Sequence, residues 1–295
     1  MKFNIVQSTM ESNVTYLIHD PIRTLMCSLE GLGHDVTFHQ DHFLKDRINI
    51  IVLGFRMNEK MVDRLILTKL PYIIYQTEVF TDKGVNYIKE WTDKVPTVNI
   101  HRQNVYLRLL KNAIAVWECF DFNQRFLDDQ GINSQIILHG YIPQLEGLPN
   151  KKNLYDVCFF GSVTNYRQGI LKEMKKRKMN IKVLGIDPPF VRDEVLRMSK
   201  INLSLRANTD TLSHIPHFRI LTALYHNTMT ITEYAKGQEW LEPMMTYVDP
   251  NVNDLVDMVE QTLSDDSYDQ KAMEYKEVLK SRPMTDIMRG LVKDL

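Results

Sequence analysis

The stretch Tyr155–Gly185, YDVCFFGSVTNYRQGILKEMKKRKMNIKVLG, constrains the chain more than any other. Val157-Cys158-Phe159-Phe160 is a short run of β-formers bounded by Asp156 and by Gly161-Ser162, the pattern of a buried strand. Gly161, Ser162, Thr164 and Asn165 make a small polar loop. From Arg167 the spacing turns helical: Ile170, Leu171 and Met174 share one side, with Lys and Arg between them. Ile181–Gly185 supplies the next apolar segment. Strand, loop, helix and strand within about 30 residues is the size of a βαβ unit.

The loop sets the chemistry open to that unit. Gly161 lets the backbone approach a ligand without a Cβ in the way. The loop feeds a helix N-terminus, whose free N–H groups and dipole favour an anion. Arg167, in the first turn, adds a fork of donors suited to phosphate oxygens. These features describe a diphosphate cradle. An ordinary βα turn with a surface arginine carries the same letters, so one Gly-Ser loop leaves both readings open.

The same alternation runs through the chain. Strands are predicted at Phe3–Val6, Val36–Phe38, Ile48–Leu53, Pro71–Tyr75, Ala113–Val116 and Gln135–Leu138, with a short one at Thr97–Ile100. Helical spacing falls within Asn13–Leu32, where Pro21 marks a start, and at Met57–Thr68 with Met61, Leu65 and Leu67 inward. It recurs at Asn104–Lys111 and Phe122–Gln130. Gly140–Asn153, with two prolines and two glycines, breaks the rhythm and reads as a linker. Beyond it come strands at Ile201–Leu205, Met229–Thr232 and Tyr247-Val248. Helices are predicted at His217–His226, from Trp240, and at Asn251–Leu263, with a mostly helical end over Tyr268–Leu295 broken at Pro283. Such alternation predicts an α/β chain of two Rossmann-like domains, 1–148 and 149–295, facing each other across a cleft. The last helix can pack back on the first domain.

Composition excludes more than it assigns. A net charge of −1 gives no global field for nucleic acid, although a local patch could bind it. Cys27, Cys119 and Cys158 lie far apart with no CxxC or Cys/His spacing, so no zinc site is expected. They read as reduced thiols, which with no signal peptide points to the cytoplasm. No apolar run is long enough to span a bilayer.

Four places carry a resemblance. They are Phe159-Phe160-Gly161-Ser162 with Arg167; Trp117 and Asn123 in VWECFDFN, followed by His139–Pro143; Ile73–Glu78; and Phe218-Arg219 followed by Met229–Glu233. Over residues 70–235 the chain resembles small bacterial glycosyltransferases of the GT-B type, the group with the CgeB-like and capsular-glycan enzymes. Its arrangement is also similar to that of phage DNA β-glucosyltransferases. The resemblance implies a nucleoside diphosphate sugar donor, UDP- or GDP-linked, held mainly by the C-terminal half. It puts Gly161, Ser162, Arg167 and Arg219 on the diphosphate, with the arginines replacing a metal; a divalent ion could still speed product release.

The family's ribose-binding Glu, one turn after the arginine, is Thr222 here, which leaves Glu233 as the alternative acid. Lys200 and Asn202 flank a strand that runs near the donor in relatives. Glu78, just past an apolar strand, matches the acid that takes the acceptor proton in an inverting transfer. The expected acceptor is a glycan or a small molecule, with DNA disfavoured by the neutral charge. Two rivals share the scaffold: an epimerase-like enzyme, and a two-domain protein that binds a nucleotide sugar without chemistry.

Overall fold

The computed structural model describes residues 1–8, 16, 18–86, 96–148, 152–207, 216–234 and 239–295. The chain divides into two compact units, one of Met1–Ile142 with Pro283–Leu295 and one of Pro143–Arg282.

The first unit holds β1 (Lys2–Gln7), α1 (His19–Gly31), β2 (Asp35–Gln40), β3 (Ile48–Val52), α2 (Glu59–Thr68) and β4 (Tyr72–Gln76). It continues with α3 (Pro96–Lys111), β5 (Ala115–Glu118), α4 (Gln124–Asp129) and β6 (Gln135–Ile136). All strands are parallel, in the order β2-β1-β3-β4-β5-β6. β4, with the sequence YIIYQ, is buried along its whole length, as a parallel strand covered on both faces must be.

The second unit holds β7 (Tyr155–Phe160), α5 (Asn165–Lys176), β8 (Ile181–Leu184), α6 (Pro189–Arg197) and β9 (Ser199–Ser204). Then come α7 (His217–Tyr225), β10 (Met229–Glu233), β11 (Thr246–Val248), α8 (Val252–Ser264) and α9 (Tyr268–Lys280). Its sheet is also parallel, ordered β11-β10-β9-β7-β8. Its core gathers Val157 and Phe159 of β7, Ile170 and Met174 of α5, Leu203 of β9 and Leu255 of α8.

Both sheets therefore have the doubly wound order in which strand sequence reverses between the unit's first and third strands. Ligands of such sheets bind beyond the carboxyl ends of the strands, at that reversal. In the second unit the reversal lies between β7 and β9, so the loop after Phe160 and the residues after Ser204 form the expected ligand edge.

The last helix, α10 (Met284–Lys293), belongs to the first unit. Met284, Met288, Leu291 and Val292 are its buried face, and the Met284 N–H donates to the Tyr141 carbonyl at 2.9 Å. A Cβ built on Gly31 of α1 would lie 3.0 Å from Thr285 Cγ2.

Three local expectations change. Residues 97–100 are part of α3, because a β-rich tetrapeptide is too short to resist an adjoining helix. On α2, Val62 and Leu65 are buried while Leu67 is 80% exposed; two residues from Leu65 is the opposite side of a helix. Asn58 caps α2, accepting from the Met61 N–H at 3.0 Å. α6 has no counterpart in the sequence reading, although Pro189 in its first turn and Val195-Leu196 in its interior announce it. Among the described residues, no helix is long and apolar enough to cross a membrane.

Candidate active site

At the ligand edge of the second unit, β7 ends at Phe160 and the chain turns at Gly161, whose φ of +129° lies where side chains rarely go. The Gly161 N–H is tied to the Leu184 carbonyl at 3.0 Å. Thr164 caps α5: its hydroxyl accepts from the Arg167 N–H at 3.3 Å and donates to the Ala207 carbonyl at 2.6 Å. Ser162 is exposed.

Arg219, on the first turn of α7, lies directly against this loop. A Cβ on Gly161 would stand 2.3 Å from its Nη2. The guanidinium packs over the rings of Phe159 and Phe160, at 5.4 and 5.5 Å from their centres. Its Nη1 is buried with no hydrogen-bond partner. Burial, then the neighbouring Arg167, pushes its pKa down to about 9, which still leaves it charged at neutral pH. Among the described residues no carboxylate pairs with it. A half-buried cation beside another cation, with a buried donor unused, is an arrangement completed by an anion.

Arg167 is placed differently from the sequence expectation. It is buried, and its donors go to the chain itself: Nε to the carbonyls of Leu205 and Arg206 at 3.2 and 2.9 Å, Nη2 to Leu205 at 2.6 Å, Nη1 to Ser162 at 2.7 Å. It thus staples the loop after β7 to the loop after β9, and its charge adds to the field at Arg219. Burial pushes its pKa down to about 10. Arg167→Ala should lower the unfolding free energy by at least about 2 kcal/mol, since several buried carbonyls lose a charged donor together. A melting curve like that of the wild type would refute the staple.

The remaining sequence candidates divide. Glu233 closes β10 at the same edge, but its carboxylate is taken: it accepts from the Tyr166 hydroxyl and from the Arg206 N–H and Nε, the last two at 3.0 Å each. Thr222 is buried on α7. Asn202 is buried within β9, donating to Thr230 Oγ1 at 3.0 Å and the Arg219 carbonyl at 3.5 Å, so it supports α7 from inside the sheet. Lys200 is not brought to the loop. It sits at the start of β9 and pairs with Asp156 at the start of β7, 2.8 Å away, whereas Gly161 follows the other end of that strand.

In the first unit, Glu78 stands two residues past β4 and is 8% exposed. Oε1 accepts from Thr77 Oγ1 at 2.8 Å and Oε2 from the Asn86 amide. Burial raises its pKa, against the opposing hydrogen bonds and Arg56. Around it lies a buried polar cluster that joins two of the resemblance motifs: Gln76, Glu118 and Asn123, with Tyr106 from α3 and the Tyr75 hydroxyl bonded to His139. Glu118 lies between Trp117 and Cys119 in a buried run, and that setting was the available sign that its carboxyl is internal.

No protein-family model matches the sequence, and neither does any curated protein. Solved structures do. An alpha-glucosyltransferase in complex with UDP and a 13-mer DNA containing a HMU base superposes with a TM-score of 0.64 at 9% identity, over 100% of this chain and 99% of that one. Anabaena HepE (Alr3699) in complex with UDP-glucose gives 0.60 at 11% identity, over 99% and 98%. S. aureus TarM, in complex with alpha-GlcNAc-glycerol and UDP, gives 0.60 at 12% identity, over 92% of this chain and 58% of that one. These neighbours are glycosyltransferases of the GT-B fold, and the chain has that fold.

Proposed function

We propose that this protein transfers a glycosyl group from a nucleoside diphosphate sugar, UDP-linked, to an acceptor hydroxyl. The observation that carries the reading is Arg219: a charged guanidinium with an unpartnered buried donor, pressed against a positive-φ glycine at the strand reversal of the second unit. The structural neighbours bound to UDP or UDP-glucose support the choice of donor. In this reading Gly161 and the α5 N-terminus take the diphosphate, and Arg219 offsets the charge that grows on it as the glycosidic bond breaks. Arg167 holds the two loops that shape the site. Thr222 stands one turn beyond Arg219, where the donor ribose would be met. Glu233 reaches it only by giving up Arg206 and Tyr166.

Glu78 is the base of a direct displacement with inversion. Burial raises its pKa toward the range where a general base works best at neutral pH. A second reading, retention, is favoured by two of the neighbours, an alpha-glucosyltransferase and a protein in complex with alpha-GlcNAc-glycerol. The anomeric configuration of the first product formed from UDP-glucose, read by proton NMR, separates them. A β-linked product supports Glu78 as base, and an α-linked product removes that role. Capture of UDP-glucose with neither transfer nor hydrolysis would favour the binding-protein rival.

Arginine-based stabilisation of the leaving group also sets the response to chelation. Turnover should persist in EDTA, with at most a slower release of UDP. Complete loss, restored by a divalent ion, would count against Arg219 as the main counter-charge.

A further inference from the structure

Glu118 ends β5 with its side chain wholly buried. A carboxyl there must be hydrogen-bonded or neutral. Oε1 accepts from the Phe120 N–H at 2.8 Å and from Asn123 Nδ2 at 3.2 Å, while Oε2 has no partner. The same Asn123 Nδ2 donates to the Glu78 carbonyl at 2.7 Å, and Asn123 Oδ1 accepts from the Phe80 N–H at 3.1 Å. Gln76 grips the other side: its Nε2 donates to the Glu78 carbonyl at 2.7 Å and its Oε1 accepts from the Glu78 N–H at 3.1 Å. The Tyr106 hydroxyl, from α3, fixes that Oε1 at 2.8 Å.

Two side-chain amides therefore hold both peptide groups of residue 78. An amide is nearly symmetric in shape, so something must decide which end faces which group. For Gln76 the Glu78 N–H and carbonyl themselves set the ends, and the Tyr106 hydroxyl adds a third contact. For Asn123 the Phe80 N–H and the Glu78 carbonyl set them, and Glu118 Oε1 holds the NH2 end from a third side. Without that acceptor the Asn123 NH2 keeps only the Glu78 carbonyl, and the tether on the loop loosens.

We propose that Glu118 is a positioning residue for the Glu78 loop, acting through Asn123 to fix how residue 78 presents its carboxylate. The proposal rests on the reading of Glu78 as base. Its protonation state matters because the cluster has no charge to spare. Tyr106 and Cys119 face Glu118, and burial holds both in their neutral forms, with the Glu118 charge pushing the same way. Tyr75 adjoins Cys119, and Glu78 is the other acid of the cluster. Among the described residues no cation pairs with Glu118. Burial, opposed by its hydrogen bonds, pushes its pKa up to about 8. Below that value the carboxyl is neutral; above it a charge without a cation is buried beside the Asn123 amide, and the Glu78 loop must respond to it.

Carboxyl-13C NMR of glutamate-labelled protein reads this without any substrate. In the wild type the Glu78 resonance should show, besides its own titration, an inflection near pH 8. Glu118→Gln keeps the Oε1-type acceptor and cannot ionise. It should leave the Glu78 shift at pH 7 unchanged and abolish the upper inflection. Glu118→Ala, if folded, should move the Glu78 shift at every pH. An inflection that survives in Glu118→Gln, or a Glu78 resonance that ignores both variants, overturns the proposal. The base reading fails separately, through turnover of Glu78→Gln.

Discussion

Glu78→Gln should bind UDP as the wild type does and lose two to four orders of magnitude in transfer rate, about the contribution of a positioned general base. The substitution keeps the size and polarity of the side chain. The amide oxygen can still accept from Asn86 Nδ2 and the NH2 can donate to the Thr77 hydroxyl, so the loop has little reason to move. What is lost is the capacity to take the acceptor's proton. The wild-type rate should also fall in acid as the carboxylate protonates. Because burial raises the Glu78 pKa, that fall should begin above the pH at which an ordinary glutamate titrates. UDP binding and turnover measured on one preparation separate chemistry from folding. Near-wild-type turnover would end the assignment and leave retention as the reading.

Gly161→Ala should weaken UDP binding as much as Arg219→Ala does, although it removes no donor. The new methyl group would stand 2.3 Å from Nη2 of Arg219, on a backbone with φ of +129°. The guanidinium must leave its place, or the loop must change shape at a cost of about 1–2 kcal/mol. The two substitutions should not add. Once Arg219 is alanine the three atoms nearest the methyl are gone and the backbone strain alone remains, so Gly161→Ala should cost less binding in that background than alone. Additive losses would mean that the glycine serves the loop's own geometry and not the approach of the arginine.

Much of this was legible in the chain. The βαβ unit at Tyr155–Gly185 appears as β7, α5 and β8, because a buried parallel strand and an amphipathic helix have different apolar periods. Gly161 could be read as a ligand-edge glycine because it follows an apolar run directly. What could not be read depends on partners far along the chain. Arg167 looks like a phosphate ligand until Leu205 and Arg206, 38 and 39 residues away, supply the carbonyls that occupy it. Glu233 looks like a free strand-end acid until Arg206 and Tyr166 fold onto it. Lys200 reads as a donor residue because sequence does not say which end of a strand faces the ligand; the pairing of Tyr155 with Ser199 puts it at the opposite end. Glu118 escaped notice because glutamates are seldom buried, and only three-dimensional packing shows that this one is.

The second unit should bind a nucleoside diphosphate through Arg219. Calorimetric titration of UDP into the wild type and into Arg219→Ala tests it most directly. The wild type should bind one UDP per chain. Arg219→Ala should bind it weaker by about 1.5–3 kcal/mol, roughly 10- to 150-fold in Kd, the range for a hydrogen bond to a charged group. Lys200→Ala, changed at the far end of β9, should bind UDP as the wild type does. Equal affinity in wild type and Arg219→Ala, or no heat of binding in either, would contradict the account.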